Sequence, residues 1–100
     1  MKKLNSKIWR GKVATYEYID DNGYRCLHYH QTDVVSFNEK EIVLDTGGWA
    51  SFTTKARMNH FSRLHDLGFG VFQKDWEWFL DYHGVTVPFL SDTVTIPKEI

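Results

Sequence analysis

Hairpin turns punctuate this chain so densely that most of it can only be short antiparallel strands. Asp20-Asp21-Asn22-Gly23 separates two alternating runs rich in β-branched and aromatic residues, Gly11–Ile19 and Tyr24–His30. Gly23 supplies the positive φ that such a turn needs. Asn38-Glu39-Lys40 divides Thr32–Phe37 from Glu41–Asp45 in the same way, and Gly47-Gly48 closes the series. Later, Lys74-Asp75 joins Phe69–Gln73 to Trp76–Tyr82. His83-Gly84 then leads into Val85–Leu90, where Pro88 implies an edge position. Thr93–Ile96 adds a last short strand.

One interval breaks the rhythm. Met58, Phe61, Leu64 and Leu67 recur at helical spacing, with Lys55, Asn59, Ser62 and Asp66 on the opposite, wet side. Thr53 reads as the N-cap, and Gly68 as a left-handed stop with Phe69 folding back on Leu64. The expectation is an α+β fold: a four-stranded antiparallel meander, one central amphipathic helix, then three or so short strands packing around it. Residues 1–100 read as one domain, with 1–10 as a basic arm whose order the sequence leaves open. A chain of 100 residues buries roughly two-thirds of its unfolded surface and needs no staple.

Cys26 is the single cysteine, so no internal disulfide forms, in keeping with a reducing compartment. No apolar run approaches the roughly 20 residues that span a bilayer, and no apolar stretch follows the N-terminal charges. A soluble protein of the bacterial cytoplasm, without a membrane partner, is the expectation. Net charge is −1, which argues against a generic polyanion binder. The distribution says more. Residues 1–16 carry five cations and no acid, and 46–65 carry three cations, two histidines and no acid. Laid beside the helix, the N-terminal segment would give the molecule one basic face.

The helix start holds the densest chemistry. Trp49 offers a flat ring, Ser51, Thr53 and Thr54 offer hydroxyls, Lys55 and Arg57 are cations, and Asn59 follows one turn on. With free backbone donors and the helix dipole, such a group suits a phosphate, a nucleotide or a partner's carboxylate. The preferred alternative is structural, with Arg57 pairing to Asp45 or Asp33, Thr53 capping, and Trp49 in the core. Gly-Gly-Trp lacks the spacing of a phosphate-binding Walker loop.

Leu44-Asp45-Thr46-Gly47-Gly48-Trp49, followed by Thr53-Thr54-Lys55, Arg57 and Asn59, resembles a set of small proteins of tailed phages and prophages. Val71-Phe72-Gln73, Trp76–Phe79, Val87-Pro88-Phe89 and the stretch Leu27–Val35, with His28 and Thr32, extend the resemblance over residues 27–90. What the resemblance implies is a context, a phage accessory protein made in a bacterial cytoplasm, and not a mechanism.

His28 and His30 leave one strand face and could hold a metal with a third ligand from His60, His65 or Asp33. But His60 and His65 lie about 140° apart around the helix. No Cys-pair or His-Glu-x-x-His motif supports a centre, and no cofactor is expected. Cys26 and His28 lack an oxyanion hole or an orienting acid, so catalysis finds little support. Trp76 and Trp78 share a strand face with Leu80 and Tyr82, which reads as the core side. Phe79 or Trp9, if exposed, would be an interface anchor.

The leading expectation is a non-enzymatic phage protein that docks on a host or phage protein, inhibition of a defence system in the anti-CRISPR manner being one version. The alternatives are a nucleotide or nucleic-acid binder using the helix start and, behind it, a small metal-dependent hydrolase. Homodimerisation through Val85–Leu90 is open.

Overall fold

The computed structural model describes residues 7–48 and 51–98. Its elements are β1 (Lys7–Ile8), β2 (Thr15–Ile19), β3 (Arg25–Tyr29), β4 (Thr32–Phe37) and β5 (Glu41–Asp45). Then come α1 (Phe52–Leu64), β6 (Phe69–Lys74), β7 (Glu77–Tyr82), β8 (Val85–Pro88) and β9 (Thr93–Pro97). The α+β expectation holds. The meander, however, is part of a larger sheet: a six-stranded antiparallel sheet in the order β1-β2-β3-β4-β5-β9, beside a three-stranded sheet β6-β7-β8. β9 therefore does not follow its predecessors into the second sheet. It returns to β5, with Asp45 opposite Thr93 and Ile42 opposite Ile96.

Alternation explains which face of the large sheet is inside. Leu27, Val35, Leu44, Ile42 and Ile96 share one side and are buried. An extra residue of β4 opposite the Leu27/His28 step breaks the register there, so Val34 and Val35 are both buried. Met58 and Phe61 of α1 fill the space above this face, and complete burial of each contributes roughly 2 kcal/mol. Phe69, Val71 and Leu80 complete the core from the second sheet.

The helix differs from expectation at both ends and along one face. Its N-cap is Ser51, not Thr53: the Ser51 side chain accepts from the Thr54 backbone N–H at 3.1 Å. At the C-terminus Gly68 is left-handed as expected, φ +81°, but the residue that closes the helix is Asp66, also left-handed at φ +54°. Leu67 N–H reaches Ser62 C=O at 2.9 Å and Asp66 N–H reaches Arg63 C=O at 3.4 Å, the paired bonds of a Schellman stop shifted two residues early. Leu64 is consequently exposed, while Ser62, expected on the wet side, is buried.

The reason is the second sheet's edge. β6 presents the outward N–H and C=O of Phe69 and Val71 to α1, and helix side chains take the place of a neighbouring strand. Ser62 Oγ donates to Phe69 C=O at 2.7 Å and accepts from Phe69 N–H at 3.2 Å. Asn59 donates to Val71 C=O at 2.8 Å and accepts from Val71 N–H at 2.7 Å. Positions three apart on a helix lie on one face, and here they meet positions two apart on a strand.

At the other side of α1, the stretch predicted to begin a strand at Gly11 is a turn, with β2 starting only at Thr15. Trp9 tucks beneath it, buried, its ring 4.6 Å from that of His60. Residues 7–12 thus lie against the helix, as the charge pattern invited, and the first six residues of the basic arm lie outside the described residues.

Candidate functional site

Ser51 Oγ also donates to Thr54 Oγ1 at 3.1 Å, and no acid stands in the first turn of α1. Beside this start lies a cleft of about 240 Å³ lined by Tyr29, His30, Thr32, Thr46, Gly47 and Thr54. Gly47 is required there. Its φ is +67°, and a Cβ would stand 2.4 Å from Thr32 Oγ1. The close approach that the glycines permit is therefore made to the protein's own β4.

The residues expected to act together are distributed to different neighbours. Arg57 faces the large sheet, donating from Nε to Thr15 Oγ1 at 3.1 Å with its guanidinium 5.4 Å over the Tyr29 ring. It does not take the expected carboxylates. Asp33 is occupied by Tyr18 and His28, and Asp45 accepts from the Gly47 N–H. Lys55 faces the small sheet instead, its ammonium 5.4 Å from the Phe52 ring and 6.0 Å from the Trp78 ring. Asn59 belongs to the β6 contact, and Thr53 is half-buried just after the cap. Trp49 lies outside the described residues.

A second concentration of exposed groups gathers where Lys55 points. Phe52 is 77% exposed, Trp76 91% and Leu90 86%. Half-buried Trp78 lies by Lys55 and edge-on to Phe89 at 6.0 Å, and a shallow recess of about 190 Å³ runs past Trp78, Phe89 and Leu90. Trp76 was expected to share Trp78's inward face. It instead occupies the second position of the two-residue β6–β7 turn, with φ +71° after Asp75 at +54°, and its indole stands in solvent. A tryptophan at positive φ is rare, so strand propensity misplaced it. Trp9, the other proposed anchor, is buried under its own turn. Phe79 is half-buried, stacked on Phe72 at 5.5 Å on the small sheet's outer face.

On the outer face of the large sheet, the register break carries His28 and Asp33 into contact, Nδ1 to Oδ1 at 2.7 Å. Tyr18 donates to Asp33 Oδ2 at 2.5 Å. Burial first, then the Asp33 hydrogen bond and charge, push the Tyr18 hydroxyl far above the usual tyrosine range. His30 takes φ +58° in the following turn, so the simple two-residue alternation behind the metal reading does not apply. Among the described residues no three His, Cys, Asp or Glu side chains converge on a point where a metal would sit. Cys26 is buried beside Ser36 Oγ at 3.4 Å, and burial pushes its thiol up.

Sequence reasoning missed the buried Glu17. It is 1% exposed and accepts from Trp9 Nε1–H at 2.8 Å, with His65 Nε2 at 3.0 Å and Arg25 at 3.4 Å. Through its hydrogen bond with His65, the C-cap of α1, this carboxylate links the end of the helix to the large sheet. Its signal was an acid at an inward-facing strand position, opposite Leu27.

Two antiparallel sheets held by one helix, with a cleft beside the helix start and an aromatic end, define a small α+β protein. The chain belongs to the family of the Kyanoviridae Gp96 protein, which it matches over residues 3–96. It is accordingly a phage-encoded protein of a tailed, cyanophage group. No curated protein and no solved structure matches it. No described helix is long and apolar enough to cross a membrane.

Proposed function

We propose that this phage protein acts by docking on a host or phage protein through its aromatic end. Inhibition of a bacterial defence system is one form such docking takes. The observation that carries the reading is the exposure of Phe52 and Leu90 on either side of Trp78, with Lys55 against Phe52 and Trp78, and of Trp76 in the turn two residues before Trp78. Large rings held in solvent by a tight turn and a helix start gain nothing for the free chain, and such rings are the side chains that anchor interfaces. The helix-start nucleotide reading ranks second, because Lys55 and Arg57 turn to different sheets.

The test is capture from host lysate by the wild-type chain and by the Phe52→Asp, Trp76→Asp double variant, with nuclease present. The expected result is a stoichiometric protein retained by the wild type and lost with the variant, the thermal midpoint of the variant being unchanged. The same captured set for both chains would overturn the assignment of the aromatic end.

A further inference from the structure

Residues 7–12 and the adjoining helix face bring four of the chain's twelve Lys and Arg residues onto one surface. Lys7, Arg10 and Lys12 lie on the segment, all exposed, with His60 and Arg63 beside them on α1. Two concavities flank this segment and share Ile8 and Lys12. One, about 320 Å³, is floored by Tyr16 and His28, whose rings stand 4.9 Å apart, and reaches His30. The other, about 410 Å³, is floored by Trp9 and His60 and rimmed by Lys7, Arg10 and Leu64. No carboxylate lines either one. Two of the floor residues themselves hold acids from below, His28 holding Asp33 and Trp9 holding Glu17. After burial, the charges of Arg63, Lys12 and Arg57 hold His60 below its ordinary pKa, an internal record of the local positive field.

We infer that this surface binds a short stretch of single-stranded nucleic acid. Phosphates would run along Lys7, Arg10, Lys12 and Arg63, and bases would enter the two ring-floored concavities on either side of Lys12. The alternation of flat apolar floor and cationic rim matches a polymer that alternates planar bases with anionic links. A duplex hides its base faces and could use only the rims. An acidic peptide does not bring a planar ring with each anionic group. The surface is separate from the aromatic end, so either assignment can fail without the other.

The test is fluorescence anisotropy with a labelled twelve-nucleotide single strand over a range of salt. Four cations predict a slope of log affinity against log salt of about −3. Arg10→Glu with Lys12→Glu, at exposed turn positions whose loss leaves the core intact, should weaken binding at least about tenfold at low salt. Lys40→Glu with Lys74→Glu, an equal charge change at exposed positions outside this surface, should leave affinity within about twofold after the uniform charge effect. Equal weakening by both variants, equal affinity for a duplex of the same length, or full competition by polyglutamate would each overturn the inference. Undetectable binding by the folded wild type at low salt would overturn it as well.

Discussion

At the scale of single residues, Glu17 and His60 show how the N-terminal segment is held. Glu17→Ala would leave the Trp9 indole N–H without its acceptor beneath the turn, and His65 and Arg25 without their anion. Removing one partner of a buried polar network costs far more than the network contributes net. The expected loss is about 3 kcal/mol, on the order of 15 °C in thermal midpoint. A loss under about 1 kcal/mol by urea denaturation would mean that the carboxylate is dispensable. His60 makes a prediction in pH. Burial first, then Arg63, Lys12 and Arg57, lower its proton affinity in the folded chain, with Glu17 pulling weakly the other way. The unfolded chain, titrating near 6.5, then binds more protons as pH falls below that value. His60 therefore contributes stability that is present above 6.5 and lost as pH drops through the folded value. Urea midpoints at pH 7.5 and about 5 should fall less for His60→Gln than for wild type; an identical fall would remove His60 as the cause.

At the scale of elements, the contact between α1 and β6 decides which helix residues are structural. An edge strand's unpaired backbone groups are ordinarily covered by another strand, by charge or by a loop. Here Asn59 and Ser62 do it with one side chain per outward residue pair, each both donating and accepting. Asn59→Ala strands the Val71 N–H and C=O at once and should cost about 2 kcal/mol. Chemical denaturation measures this directly, and a neutral result would mean that water replaces the amide without penalty. The same contact explains what the sequence concealed. Helical periodicity located α1 within two residues, because Met58 and Phe61 must face the core. Asn59 and Ser62 read as solvent-facing because periodicity ranks side chains by polarity, and it cannot see a strand edge supplying partners of equal polarity. The cap moved from Thr53 to Ser51 for a local reason, since either hydroxyl suits the position and only the path out of Gly47-Gly48 chooses between them.

At the scale of the whole molecule, turn chemistry made eight of the nine strands legible, with ends good to a few residues; β1 fell in what had been read as an arm. Which sheet each strand joins was not legible, because alternation specifies a face and not a neighbour. The candidate site was only partly readable. Cations, hydroxyls and rings were visible as a list, but their separation into a cleft beside β4, an aromatic end and a basic face follows from how α1 sits between the sheets. That separation is what lets a chain of net charge −1 present a surface whose concavities are lined by cations and rings without an acid. The return of β9 to β5 has one more consequence. Asp45 and Thr93 are partners across the sheet, so all that lies between them departs from and comes back to one place. The helix and small sheet are thus a detachable excursion, and exchange of that cassette for another with an equivalent apolar cover over Leu27 and Leu44 would not require the large sheet to be re-threaded. For genomes that recombine, such an arrangement lets the aromatic end proposed for docking be traded while the framework is inherited unchanged.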